Sequence, residues 1–261
     1  MKKQTRILLT VLCLVFLSVF AFSGYKLYSI MHEYNAAKRM YNGLSGEFVT
    51  QAADKEPAPS QTQAPEEEEP REVSPISVDF DALLAQSEDV VGWLYCADTP
   101  INYPVVQGED NDFYLYRFID GTYNGSGSLF VDYSCTGDFS GKNTVIYGHH
   151  MQNGTMLASI CNYGKQEYYD AHPVLYLNTP TQNYRVEPFS GFITAADSKA
   201  YTWDFASDEE YAAYLERMKG FSDFDCDVEM GVDDRMIMLS TCTYEYDNAR
   251  FVLMCKLIPI D

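Results

Sequence analysis

The sequence predicts a mainly β domain, an eight-stranded barrel with peripheral helices, preceded by an N-terminal transmembrane helix. Eight short segments rich in β-branched and aromatic residues are bounded by turn residues, and they do not alternate regularly with helices. That arrangement favours an antiparallel or mixed barrel over a doubly wound sheet. A separate uncharged apolar run lies near the N terminus. The predicted strands are 92–95, 101–106, 127–131, 144–147, 174–177, 184–194, 235–240 and 251–258.

Three helices are predicted within the same domain, over 79–86, 155–163 and 207–218. The last has the strongest signal, because Ser207 and Glu210 have the spacing of a capping box. Its apolar residues recur at helical spacing and are predicted to pack into the core. They are Tyr211, Tyr214, Leu215 and Met218.

Length and composition limit the classes to which this protein can belong. The chain has 261 residues, a net charge of −20, and 46% hydrophobic and 15% aromatic residues. This length allows one ordinary domain with an appendage or two small domains, and the apolar share excludes a wholly disordered chain. Basic residues cluster only near the N terminus, so a nucleic-acid-binding surface is not expected.

The uncharged run 7–22 approaches the length of a membrane-spanning helix. Lys2, Lys3 and Arg6 precede it, which predicts a cytoplasmic N terminus and an extracellular main domain. A cleaved signal peptide is the alternative, since small residues near 21–23 resemble a cleavage site. A single-pass anchor in the cell membrane is favoured, because the run is long for a signal peptide and continues into tyrosines and a lysine suited to the outer interface.

The chain is therefore divided into three parts. Residues 1–24 form a cytoplasmic tip and anchor, 25–75 a stalk and acidic proline-rich linker, and 76–261 the globular domain. The linker includes four consecutive glutamates at 66–69 and shows no apolar periodicity, which is typical of a solvated, extended tether.

The seven cysteines do not indicate a metal site. Cys13 lies in the apolar run, and the other six could form disulfides outside the cell. A domain of this size needs none, however, and at least one thiol is expected to be free. The sequence has no C-x-x-C motif, and His149 and His150 are adjacent rather than spaced for zinc.

Two segments, 143–151 and 236–254, contain candidate catalytic residues. Cys242 ends one predicted strand, Arg250 opens the next, and His149 follows a third. A thiol, a proton carrier and a permanently charged donor for an oxyanion are the groups that acyl transfer needs. From four histidines and six cysteines such a trio can also arise by chance, and a structural cysteine is the alternative.

These segments resemble the sortases, and specifically class B. The resemblance rests on YGHHM around His149, on LSTC ending at Cys242, and on Arg250 at the start of the following strand. It extends over 76–261 and includes a helix inserted between the sixth and seventh strands. Further matching segments are 103–107, 110–115 and 127–132.

The resemblance implies a role for each matching position. Cys242 would be the nucleophile, His149 the proton carrier and Arg250 the group that steadies the scissile carbonyl, with His150 a rim or packing residue. The chain departs from the usual pattern at Met238, where threonine is common, and at Thr243, where some relatives carry an acid. Residues implied to line a sorting-peptide groove are Asn111, Leu115, Tyr147, Tyr201, Ser240 and Thr241.

The implied reaction is transpeptidation without a metal or organic cofactor. A secreted protein with a C-terminal NPxTG- or NPxTN-like sorting signal would be cleaved after Thr through a thioester and passed to an amine of a peptidoglycan precursor. A pilin-polymerising sortase with a lysine acceptor is an alternative, as is a non-catalytic tethered barrel that binds a partner. Two other enzyme classes fit less well. L,D-transpeptidases have glycine just before the catalytic cysteine, where this chain has Thr241. In one class of wall cysteine peptidases the cysteine precedes the histidine in sequence, whereas here His149 precedes Cys242.

Overall fold

The computed structural model describes residues 3–52 and 72–261, which form two units, one ending at Met40 and one spanning Tyr41–Asp261. Helix α1 (Lys3–Phe48) begins in the first unit and ends in the second. Its N-terminal part is long and apolar enough to cross a membrane, a property that a signal sequence shares. Most of the predicted linker, 53–71, lies outside the described residues.

Eight strands of the second unit close into a barrel, so the predicted fold class is confirmed. A separate antiparallel pair precedes the barrel, β1 (Val49–Gln51) and β2 (Ile76–Val78). The barrel strands are β3 (Val90–Tyr95), β4 (Asn102–Val106), β5 (Leu129–Val131), β6 (Asn143–Tyr147), β7 (Leu175–Asn178), β8 (Asn183–Ala195), β9 (Arg235–Cys242) and β10 (Ala249–Ile260). Around the barrel the order is β3, β4, β5, β6, β9, β10, β8 and β7.

Strand pairing decides which residues meet at one end of the barrel. The pairs β4–β5 and β6–β9 are parallel, and the other barrel pairs are antiparallel. In a parallel pair both strands run in the same direction, so the last residues of β6 and β9 lie at the same end of the barrel. This end is called the rim. Strand β10 starts from that rim, because it is antiparallel to β9.

The barrel strands carry large apolar side chains that are fully buried. Trp93, Leu94, Ile146, Leu239 and Leu253 are fully buried. Each such side chain contributes about 1.5–3 kcal/mol through burial. The rim therefore stands on a rigid, closely packed scaffold.

Helix α4 (Asp208–Lys219) lies between the sixth and seventh barrel strands, β8 and β9, as predicted. Ser207 is its N-cap and accepts a hydrogen bond from the Glu210 amide, while the Glu210 carboxylate accepts one from the Ala206 amide. The predicted apolar stripe is buried at all four positions. Burial of that stripe fixes α4 against the barrel.

Replacing Ser207 with alanine should destabilise the domain by about 1 kcal/mol, because the first turn of α4 loses a cap. Urea denaturation of the full chain measures this directly. A serine-to-alanine change just after the helix, Ser222→Ala, is not a suitable control, because the Ser222 hydroxyl also forms hydrogen bonds with the Phe224 backbone. Ser207→Asp is the suitable control, because aspartate caps a helix equally well, and its midpoint should stay near the wild-type value.

The other two helical predictions have different outcomes. Helix α2 (Phe80–Gln86) forms as predicted, with Asp79 as its N-cap. The helix predicted over 155–163 is present as a 3₁₀ helix at Ala158–Gly164, which begins three residues later than predicted. Met156 takes a left-handed φ of 57° and pairs with His150 in a short bridge, which prevents a regular helix from starting at 155. A short helix, α3 (Gln166–Ala171), follows and was not predicted.

Residues on both sides of the undescribed segment pack on the barrel. Tyr41, Leu44 and Phe48 at the end of α1 are buried. Glu72 forms an ion pair with Arg185 at 2.9 Å. The second unit therefore begins at the end of α1, upstream of the boundary at residue 76 that the sequence suggests.

Candidate active site

Cys242 and Arg250 are neighbours on adjacent strands. Cys242 is the last residue of β9, Arg250 is the second residue of β10, and the antiparallel register pairs them directly. Both side chains are partly buried. One of the guanidinium N–H groups donates to the Ala249 carbonyl at 3.0 Å, and arginine has five such donors. Cys242, with its thiol, and Arg250, with its planar guanidinium, thus occupy paired positions on the rim.

His149 reaches the same rim through Gly148, which continues the line of β6. The Gly148 amide donates to the Ser240 carbonyl at 3.1 Å, and the Thr241 hydroxyl donates to the Gly148 carbonyl at 2.7 Å. A Cβ at Gly148 would collide with the Leu129 side chain, so only glycine fits this close approach. The three residues that the sequence singled out therefore lie at one end of the barrel.

The His149 imidazole has a fixed partner on one side. Its Nε2 is 2.7 Å from the Leu115 carbonyl oxygen, which can only accept, so Nε2 carries a proton and Nδ1 is left for proton exchange. Burial lowers the pKa of His149 below its ordinary value of 6.5, and the hydrogen bond to Leu115 offsets part of that effect. The ring is therefore neutral at pH 7 and releases a proton readily once charged.

This lowered pKa predicts how stability depends on pH. Below pH 6.5 the unfolded chain binds a proton at His149 that the folded chain resists, so the contribution of this residue to stability falls as the pH falls. Glutamine at this position cannot titrate. The melting temperature of His149→Gln should therefore decrease less between pH 7 and pH 5 than that of the wild type. Thermal unfolding at both pH values measures the difference. An equal or larger loss in the variant would contradict the assignment.

His150 contacts the main chain of Cys242. Its Nδ1 is 2.8 Å from the Cys242 carbonyl oxygen and 3.6 Å from the Cys161 sulfur, and its ring is 5.3 Å from the Tyr244 ring. Burial raises the pKa of the Cys161 thiol to about 12, which keeps that thiol neutral. The rim or packing role expected for His150 is therefore more specific in the structure, since its imidazole helps to fix the end of β9.

Two predicted groove residues are held by an aspartate that the sequence analysis did not single out. Asp132 is buried, and its Oδ2 accepts hydrogen bonds from Asn111 at 2.9 Å and from the Tyr147 hydroxyl at 3.0 Å. Burial and this carboxylate raise the pKa of Tyr147, so its hydroxyl stays a donor. The detectable signal was an acid directly after strand β5, at the end of the 127–132 segment.

The remaining predicted groove residues divide into two groups. Ser240 and Thr241 are buried, and their hydroxyls have internal partners, Tyr201 for Ser240 at 2.7 Å and Gly148 for Thr241. These two hydroxyl side chains therefore organise the end of β9 from within. Tyr201 is partly exposed and stacks on Tyr147 with ring centres 6.3 Å apart. Leu115 contributes its carbonyl to His149.

All seven cysteines, which lie within the described ranges, are free, and Cys96 and Cys255 are buried. Among the residues that the structure describes, no group of three or more His, Cys, Asp or Glu side chains is arranged to hold a metal ion.

Comparison with known proteins identifies the family. No family model matches the chain. Sortase B of Listeria monocytogenes, however, is 32% identical over 249 residues, which is 95% of this chain and 95% of that protein. This chain belongs to the sortase B family. Sortase B of Staphylococcus aureus is also 32% identical, over 69% of this chain and 75% of its own length.

Solved structures agree with this assignment. The sortase matches a Staphylococcus aureus sortase B–substrate complex with a TM-score of 0.67 and 32% identity, covering 70% of this chain and 85% of that one. It matches sortase B of Bacillus anthracis in complex with AAEK1 with a TM-score of 0.71 and 29% identity, covering 88% and 99%. The protein is accordingly a cysteine transpeptidase with the class B barrel.

Proposed function

We propose that this sortase is anchored in the membrane and cleaves an NPxTG- or NPxTN-like sorting signal after Thr, then transfers the protein to an amine of a peptidoglycan precursor. The observation that supports this most is the direct pairing of Cys242 with Arg250 at the rim where β6 delivers His149. The Cys242 sulfur, the Arg250 guanidinium and the His149 imidazole can then all act on the same scissile amide of the substrate.

In the first step Nδ1 of the neutral His149 imidazole takes the proton of the Cys242 thiol, and the resulting thiolate attacks the Thr carbonyl carbon while the carbonyl π electrons move to oxygen. Arg250 donates hydrogen bonds to that oxyanion. The C–N bond then breaks, and the leaving amine takes the proton from Nδ1 of the His149 imidazolium. The product is a thioester on Cys242 and a free C-terminal fragment.

In the second step an amine enters and attacks the thioester. His149, now neutral, accepts the amine's proton at Nδ1, and the C–S bond breaks to return the Cys242 thiolate. The lowered pKa of His149 suits this exchange, because the imidazolium gives up its proton easily in the first step.

The substrate groove is proposed to run beside the tyrosines of the rim. Asn111, Tyr147 and Tyr201 lie near the end of β9, and hydrogen bonds to Asp132 and Ser240 orient them. The solved sortase B–substrate complex of Staphylococcus aureus supports a peptide substrate for this family member too. Leu115 would border the same groove beside His149.

The membrane anchor is proposed from α1. Its N-terminal part is apolar and long enough to span a bilayer, and basic residues precede it, which would leave the barrel outside the cell. In that location the enzyme meets both secreted proteins and the wall precursor.

Incubating the full chain in lipid nanodiscs with NPxTG and NPxTN peptides tests the proposal. We expect cleavage after Thr, and transfer to an added glycyl amine, with a Thr→Ala peptide as the uncleaved control. Cleavage at another bond, or none for either peptide, would contradict the proposed substrate. Preference for a lysine-bearing pilin segment as acceptor would contradict the wall-anchoring role.

A further inference from the structure

The Leu115 carbonyl that binds His149 rests on a seat formed by Gly127 and Ser128. The Ser128 amide donates to the Tyr114 carbonyl, and the Ser128 hydroxyl donates to the Arg117 carbonyl, both at 2.9 Å. Gly127 has a φ of 56°, and a Cβ there would collide with the Leu115 carbonyl oxygen. The carbonyl therefore lies directly against the seat, and a shift of the seat moves the partner of His149.

Tyr41 of α1 reaches this seat from the other side. Its hydroxyl donates to the Gly127 carbonyl and lies 3.3 Å from the Ser128 hydroxyl oxygen. The side chain is 5% exposed, and its ring meets those of Tyr103 and Phe118 edge-on, with ring centres 5.0 and 5.6 Å apart. Packing alone would be served by phenylalanine, so the buried hydroxyl serves its contact with the seat.

A second chain of contacts leads from Tyr41 to the main chain of the histidine segment. Tyr103, which packs against the Tyr41 ring, accepts a hydrogen bond from the Met156 amide at 3.2 Å. Met156 is bridged to His150, and the amide of the next residue, Leu157, donates to the His149 carbonyl at 3.1 Å. Tyr41 is therefore connected both to the Leu115 carbonyl that binds the His149 imidazole and to the backbone of His149.

We propose that Tyr41 is a positioning residue for His149, through the Gly127–Ser128 seat and the Leu115 carbonyl. The end of α1 then belongs to the catalytic apparatus, and the segment is more than a stalk. This inference rests on the proposed role of His149, but the position of the imidazole can be measured without turnover.

The test compares Tyr41→Phe with Ser45→Ala in the full chain. Ser45 lies one helical turn further along α1 and accepts a hydrogen bond from Asn102 at 2.8 Å, so its removal costs a similar bond that does not involve the seat. Long-range ¹H–¹⁵N NMR of histidine-labelled protein reports which His149 nitrogen carries the proton, and peptide cleavage gives kcat and KM.

In wild type and Ser45→Ala we expect the Nε2-protonated form to dominate. In Tyr41→Phe that population should fall, and kcat should fall about 5-fold, the effect of one hydrogen bond, with little change in KM. Ser128→Ala should change both readouts in the same direction, which covers the case in which Tyr41→Phe folds poorly.

Unchanged His149 protonation in both Tyr41→Phe and Ser128→Ala would overturn the proposal, as would an equal effect of Ser45→Ala. A shifted protonation with full activity would overturn the catalytic consequence. Failure of the proposed function itself has a different signature, namely full activity of His149→Ala, and the two failures are thereby distinguished.

Discussion

Cys242→Ala is expected to lose peptide cleavage and transfer by about three orders of magnitude or more, while it unfolds near the wild-type temperature. The loss is large because no thioester can form without the sulfur, and members of a catalytic group act as a unit. The fold should survive, since Cys242 is partly exposed at the end of β9 and the strand is held by its backbone pairing with β10. Chromatographic detection of the cleaved peptide and calorimetry measure both quantities.

Cys161→Ala is the matched control for this experiment. Its sulfur lies 3.6 Å from the His150 imidazole at the same rim, yet its raised pKa keeps it a neutral thiol, which is a poor nucleophile. We expect this variant to retain most of its activity. If Cys161→Ala were inactive and Cys242→Ala active, the assignment of the nucleophile would be wrong.

Arg250→Lys is expected to lower kcat by about 100-fold, with a much smaller change in KM. Lysine keeps the charge but replaces a planar fork by a single flexible ammonium group, which cannot hold several donors toward a developing oxyanion. Because Arg250 is paired with Cys242, the missing donors would be those next to the reacting carbon. Steady-state kinetics with a sorting peptide separates kcat from KM.

Arg235→Lys provides the comparison for Arg250→Lys. Arg235 begins β9 at the opposite end of the strand, where its guanidinium donates to the Phe139 carbonyl at 3.2 Å. Its replacement should leave kcat within about two-fold of wild type, as expected for a change away from the reacting atoms. An Arg250→Lys enzyme with wild-type kcat would remove Arg250 from the proposed chemistry.

The strands were predictable because each short β-branched or aromatic run is bounded by turn residues. Strand β6 and strand β9 are examples, with 144–147 and 235–240 expected against Asn143–Tyr147 and Arg235–Cys242 observed. The parallel pairing of these two strands was not predicted, because it joins residues about ninety positions apart and depends on closure of the whole barrel. Local sequence carries no record of such a contact.

The candidate site was predictable to the level of strand ends. Cys242, Arg250 and His149 were placed on three strand termini, and the structure brings those termini to one rim. The roles of main-chain groups were not predictable, as with the Leu115 carbonyl at His149. A carbonyl is present at every residue, so only the fold shows which one is used. Tyr41 was missed for a similar reason, since its partner lies 86 residues away.

Mass spectrometry of the trapped acyl-enzyme tests the central claim most directly. Full-length wild-type protein is mixed with an NPxTG peptide without an acceptor amine, quenched in acid within seconds and digested. We expect the added mass of the peptide up to Thr on the fragment that contains Cys242, and its disappearance when an amine is added before the quench. An adduct on another cysteine, or cleavage that proceeds equally well in Cys242→Ala, would contradict the mechanism.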